Sequence, residues 1–171
     1  MSGPDAPTAN TPGHGLPGHG PPGHGLPGHG LIVSLQVGGQ LCGLPVGAVR
    51  DVLGPQTITR VPLAAPEIAG NLNLRGRIVT TIDLRKRLGL QVPPGSHPAM
   101  SVVTEHGPKL YALLVDRVLE VVSVASLALA PLPPTIAAGW AGFGTGVYQL
   151  PDGLLVMLDV HRVLALLPRA A

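Results

Sequence analysis

Four histidines recur every five residues near the start of the chain. His14, His19, His24 and His29 each sit in a Pro-Gly-His-Gly unit, the units beginning at Pro12, Pro17, Pro22 and Pro27. Evenly spaced imidazoles on a flexible backbone can gather around Cu(II), Ni(II) or Zn(II). The competing reading is a low-complexity tail with no metal role. The string GxGxxG also occurs there (Gly13, Gly15, Gly18), but no strand precedes it and no helix follows, so it is not a dinucleotide motif. Elsewhere catalytic chemistry is hard to find. No serine lies in a nucleophile elbow, HExxH does not occur, and no phosphate loop opens a helix. His97, His106 and His161 fall in a linker, a turn and a helical turn, where a solvated surface residue is the simpler expectation.

The cation to single out is Arg75, which follows Asn71, Asn73 and Leu74 and precedes Gly76. Glycine suits a position where only bare backbone fits, so the arginine is fixed beside such a point. One reading makes it structural, tied to a neighbouring carboxylate such as Asp51. The other makes it a surface cation at a protein-binding site, and one residue can do both. Five of the eleven Lys and Arg fall between Arg75 and Arg87, a density no other segment matches.

Several elements must position these groups. Gly70–Leu88 reads as an Asn/Gly-rich connection ending at Arg75, a strand over 78–82, and a short basic helical turn. The strand is β-branched throughout, which suits a half-buried pleated surface. Asp83 stands where a helix N-cap would, and Gly89 is a natural stop. Before it, Leu31–Val37 alternates with period two, Gly38-Gly39 signals a hairpin, and Leu41–Val46 returns. A third strand is expected over 48–53 and a short one over 57–61. After a linker at 92–98 come strands over 100–105, 109–115, 117–124, 142–150 and 154–158. A capped turn at Asp159–Leu164 closes the chain.

The second half repeats the first. LCGLPVGAVRDVL from Leu41 lies over LYALLVDRVLEVV from Leu110, and IVTTIDLRKRL from Ile78 over LLVMLDVHRVL from Leu154. The second match pairs Asp83 with Asp159, so both are better explained as helix N-caps than as an acid–base pair. Each unit has about five short strands, a size at which sheets curl into small barrels. Two such units should pack through apolar faces and leave a groove between them.

Composition bounds the rest. The chain is 171 residues long, 45% hydrophobic and only 2% aromatic, so its core must be aliphatic. A net charge of +2 with four aromatic residues gives no basis for nucleic-acid binding. The single cysteine, Cys42, excludes an intramolecular disulfide and reads as a buried reduced thiol. Residues 1–30 hold seven of the twenty Pro and nine of the twenty-four Gly, and such a segment is expected to be disordered. No Lys or Arg precedes Arg50 and no apolar run resembles a signal peptide or a membrane span, so a cytoplasmic protein is expected.

The pieces LIVSLQVGGQLCGLPV, VRDVL, IAGNLNLRGRIVTTIDLRKRLGL, LLVDRVLEVV and DGLLVMLDVHRVL resemble the CheW family of chemotaxis coupling proteins, from Leu31 to about Leu166. The resemblance implies an all-β fold of two SH3-like five-stranded β-barrel subdomains with short helical turns. Their expected extents are about 31–92 and about 99–167 within a domain at 31–167. It also implies a non-enzymatic scaffold, without cofactors, that joins chemoreceptor cytoplasmic tips to the regulatory domain of the histidine kinase CheA. Such a protein is held at receptor arrays through its partners and does not insert in the membrane. Receptor-binding positions carry over to Val49, Gly70 and Arg75, with Asp51 as the structural partner of Arg75. Two departures stand out: Asp51 is shorter than the usual Glu, and Thr80 replaces a common Pro. The histidine repeat belongs to no family pattern. The alternative function is a metal-binding or metal-sensing protein acting through His14, His19, His24 and His29.

Overall fold

A computed structural model describes residues 30–136 and 138–165. The expected disorder of the tail and its four histidines therefore lie outside the described residues. The architecture is all-β: among the described residues there are ten strands in two five-stranded sheets and three helices of four or five residues. The strands are β1 (Leu31–Val37), β2 (Gln40–Pro45), β3 (Val49–Leu53), β4 (Ile68–Leu74) and β5 (Arg77–Asp83), followed by helix α1 (Leu84–Arg87). Then come β6 (Met100–His106), β7 (Lys109–Val115), β8 (Arg117–Ser123), helix α2 (Ala138–Ala141), β9 (Gly144–Leu150), β10 (Gly153–Leu158) and helix α3 (Val160–Leu164).

The sheets do not follow the halves of the sequence, 31–92 and 99–167. One sheet runs β8-β1-β2-β10-β9 and the other β3-β6-β7-β5-β4. Each half thus lends its first hairpin, β1–β2 or β6–β7, to the sheet built mainly by the other half. The duplication itself is visible in the register. Under the sequence match Cys42 corresponds to Tyr111 and Thr80 to Val156, and the two parallel ladders begin at Val156↔Cys42 and Thr80↔Tyr111. The chain crosses between the sheets at one short connection. β2 ends at Pro45, and a single 3-10 turn at Val46–Ala48 carries the chain straight into β3, which pairs with β6.

Alternation along the strands separates three apolar clusters. Val33, Leu35, Val37, Cys42 and Leu44 from one sheet share a core with Ile82, Val102, Leu113 and Val115 from the other, joined by Leu84, Leu88, Trp140 and Val163 from the helices. On the opposite face of the first sheet lie Ile32, Leu155 and Met157; on that of the second lie Leu72, Val79, Val103 and Ala112. In each opposite-face cluster both edge strands meet: Val122 of β8 with Tyr148 and Leu150 of β9, and Leu53 of β3 with Leu72 and Leu74 of β4. Both sheets are therefore rolled, each around its own small interior, with the largest core between them.

Three local expectations need correction. Ile68–Leu74 is a strand rather than a connection, because its Asn side chains alternate with Leu72 and Leu74 and only the latter face the interior. The residues around Thr59 form no strand and make one bridge, Thr59↔Asn71. Helix α2 was not expected. It seats Trp140, 2% exposed, in the shared core, and a side chain at Gly139 would collide with the Leu88 carbonyl oxygen. Two of the three cations of the basic turn are turned inward, while Lys86 is exposed. Arg85 and Arg87 have side chains only 4% and 8% exposed. Arg85 meets Asp83 at 3.5 Å, Asp116 at 3.6 Å and the Ser96 hydroxyl, while Asp116 also accepts from Gly38 N at 2.6 Å. Arg87 Nε donates to the Val163 carbonyl at 2.8 Å and its guanidinium lies 4.9 Å from the Phe143 ring. These two arginines tie the exchanged pieces together.

Candidate docking surface

Arg75 and Gly76 are the two-residue turn between β4 and β5, closed by the Leu74↔Arg77 pair. Their φ values are 52° and 85°, so both are left-handed, as the turn that matches strand twist requires. Asn73 Oδ1 accepts from Gly76 N at 2.8 Å and fixes the turn. A glycine at position 76 answers this conformation and not a lack of space, since a Cβ there would meet nothing within 4 Å. The Arg75 side chain is 85% exposed, and its Nη2 lies 3.6 Å from Asp51 Oδ2 on β3.

β3 carries a bulge at Arg50: Val49 pairs with Thr104 and Asp51 with Val103. The extra residue re-aims the strand, so Val49 is half-buried against the shared core while Leu53 faces the interior of the second sheet. Asp51, between them, accepts from Val52 N at 2.8 Å and remains 32% exposed at the rim. Arg50 points outward and pairs with Glu105 at 2.9 Å.

Gly70 is buried, with φ 146°. A Cβ there would overlap the Thr59 carbonyl oxygen and lie 2.8 Å from its carbon and 2.9 Å from Ile58 Cγ2. Thr59 and Asn71 exchange two backbone hydrogen bonds of 2.8 Å, and Thr81 Oγ1 donates to the Gly70 carbonyl at 2.9 Å. The glycine thus lets the connection between β3 and β4 lie across β4. Its contribution to any surface passes through that connection.

The structure brings Asp51 and Arg75 together, sets Val49 two residues before Asp51, and places Gly70 beneath the neighbouring connection. Asp83 and Asp159 cap α1 and α3, accepting from Arg85 N at 3.0 Å and Arg162 N at 3.2 Å. One apolar neighbour of the Arg75 turn was missed. Ile78, paired with Asn73, is 76% exposed, and within a β-branched run nothing in the sequence marks it as the outward member. Leu63, fully exposed at φ 61°, was missed as well; Pro62 before it signals the turn but not the leucine's exposure. Among the described residues no group of three or more His, Cys, Asp or Glu could hold a metal ion. No described helix is long and apolar enough to cross a membrane.

Residues 31–167 match the model of the CheW-like domain family. The chain is 26% identical over 129 residues to the chemotaxis protein CheW of Klebsiella aerogenes, covering 75% of this chain and 78% of that one. It is 30% identical over 86 residues to the protein PilI of Pseudomonas aeruginosa, covering 50% and 48%. Among solved structures it resembles the scaffolding protein TtCheW of Thermoanaerobacter tengcongensis, with a TM-score of 0.66, 29% identity, and 78% and 90% coverage.

Proposed function

Because this chain belongs to the CheW-like family, we propose that it is a non-enzymatic adaptor coupling a chemoreceptor's cytoplasmic tip to the histidine kinase CheA. Arg75 supplies the cation of the receptor-facing surface, beside Asp51 and Val49, and Gly70 positions the adjoining connection. The kinase's regulatory domain docks elsewhere, on apolar surface. The protein works where receptors gather, through its partners.

The observation that carries this reading is an imbalance at Arg75. Holding a non-glycine residue in the left-handed region costs about 1–2 kcal/mol. A surface ion pair such as Arg75–Asp51 returns about 0–1 kcal/mol. The fold gains less from this arginine than its backbone costs, which favours a recipient outside the chain. An exposed guanidinium beside the exposed apolar Ile78 has the composition of an interface anchor.

The test is reconstitution of kinase, receptor and this chain. Receptor control of kinase autophosphorylation should appear only when the chain is present. Equal control in its absence would remove the adaptor role.

A further inference from the structure

His106 ends β6, in one sheet, and His161 lies in α3, which follows β10 of the other. Their Nδ1 atoms are 3.2 Å apart, with ring centroids at 5.2 Å and planes at 61°. Tyr111 flanks His106, its ring centroid at 6.5 Å and the planes at 62°. Neither histidine belongs to the candidate docking surface. Two Nδ1 atoms this close form either a hydrogen bond, in which one ring's N–H donates to the other's nitrogen, or the two ligands of a chelate.

The separation decides what the chelate would fit. Metal–imidazole bonds are about 2.0–2.1 Å long, so two such ligands stand about 3.4 Å apart on a tetrahedral ion and about 2.9 Å apart at a right angle. The observed 3.2 Å lies between these values. The two nitrogens therefore already stand at a separation that a single ion bound by both requires. Imidazole suits Zn(II), Ni(II) and Cu(II) and not the oxygen-seeking Mg(II) or Ca(II). We propose that His106 and His161 form a two-imidazole site for a first-row divalent cation of the zinc, nickel and copper group. No third protein ligand joins them among the described residues, so solvent completes the coordination. The bound ion bridges the β6–β7 turn to α3, and hence one sheet to the other.

The chain has seven histidines. Changing His14, His19, His24, His29 and His97 to Ala in the full-length protein leaves only this pair. Zn(II) is then titrated while the imidazole nitrogen resonances are followed. The site requires both Nδ1 signals to move together and saturate at one equivalent, with a rise in Tm. His106→Ala and His161→Gln should each weaken Zn(II) uptake at least tenfold while the protein remains folded. Three results overturn the proposal: no response at tenfold excess Zn(II), two independent equivalents, or coordination through Nε2. Uptake within threefold of the parent after either substitution overturns it as well.

Discussion

Arg75 and Asp51 meet at 3.6 Å although they lie on opposite edges of one five-stranded sheet, the arginine at the end of β4 and the aspartate on β3. Four strand spacings of a flat sheet would separate those edges by about 19 Å. An arginine and an aspartate side chain cannot span that distance. The pair therefore closes the mouth of a rolled sheet, which is why a residue of edge strand β3 and one from the turn after edge strand β4 can share one surface.

Arg75→Glu should abolish receptor coupling and lower stability by about 1–2 kcal/mol, since it sets a carboxylate beside Asp51. Loss of an arginine anchor costs about 2 kcal/mol of binding or more, so receptor affinity should fall roughly thirtyfold or further. Arg75→Gly is the sharper variant. It removes the cation and relieves the left-handed backbone, so its melting temperature should equal or exceed the parent's while coupling is lost. Receptor binding and melting are measured on the same samples. Normal binding by Arg75→Gly would confine the residue to the fold.

Gly70→Ala should destabilise the protein by about 2 kcal/mol, from backbone strain and the collision with Thr59. The damage should be local at first. Amide exchange at Thr59 and Asn71, whose mutual hydrogen bonds hold the connection on β4, should quicken before that of β6 and β7. Protection at Thr59 equal to the parent's would show that Gly70 does not seat the connection.

The two helix caps should differ in weight. Asp159→Ala loses a cap at a partly exposed site and should cost about 1 kcal/mol. Asp83→Ala loses the equivalent cap and also strips a carboxylate from Arg85, whose side chain is 4% exposed and whose Nε has no hydrogen-bond partner. Breaking a buried pair costs about 3–5 kcal/mol, and Asp116 keeps part of that compensation, so about 3 kcal/mol is expected. Urea unfolding of both variants tests the order.

Cys42 should make stability fall in alkali. Burial, reinforced by the negative charge of Asp116, holds its thiol neutral far above the ordinary thiol range. The folded chain thus keeps a proton that the unfolded chain releases above about pH 8.5. This contribution is complete below that pH and declines as pH rises, by up to about 1.4 kcal/mol per pH unit. Cys42→Ala should flatten the dependence when urea midpoints are compared between about pH 8 and about pH 10. In the native protein the thiol should resist alkylation until the chain unfolds.

Strand positions were legible wherever period-two alternation met a turn signal, as at Leu31–Val37 followed by Gly38-Gly39, and so was the Asp83 cap. Partners were not. Alternation marks which side of a strand is apolar, but Val33 and Leu113 carry nothing that says they will share a core. The duplication could be read from the sequence, but the exchange of hairpins within it could not, because the residues at the crossing, Val46–Ala48, do not say which sheet the next strand joins. The burial of Arg85 and Arg87 was hidden for a related reason: their partners Asp116, Ser96, Glu67 and Val163 come from scattered segments. At the docking surface, Arg75 stood out by its neighbours, whereas the half-burial of Val49 follows from a bulge that no residue type announces.

The exchanged hairpins set the order in which the molecule can be assembled. β1 and β2 leave the ribosome first, yet their partners in the ladder are Val121 and Val156, both in the last third of the chain. The earliest hairpin must wait with an apolar face and two unsatisfied edges until β8 and β10 have been made. Such distant pairings fold slowly, and an exposed hairpin of this kind can be captured by the matching slot of a second copy. At high expression, or under a mutation that delays β10, the expected misassembly is a dimer in which two chains trade residues 31–45.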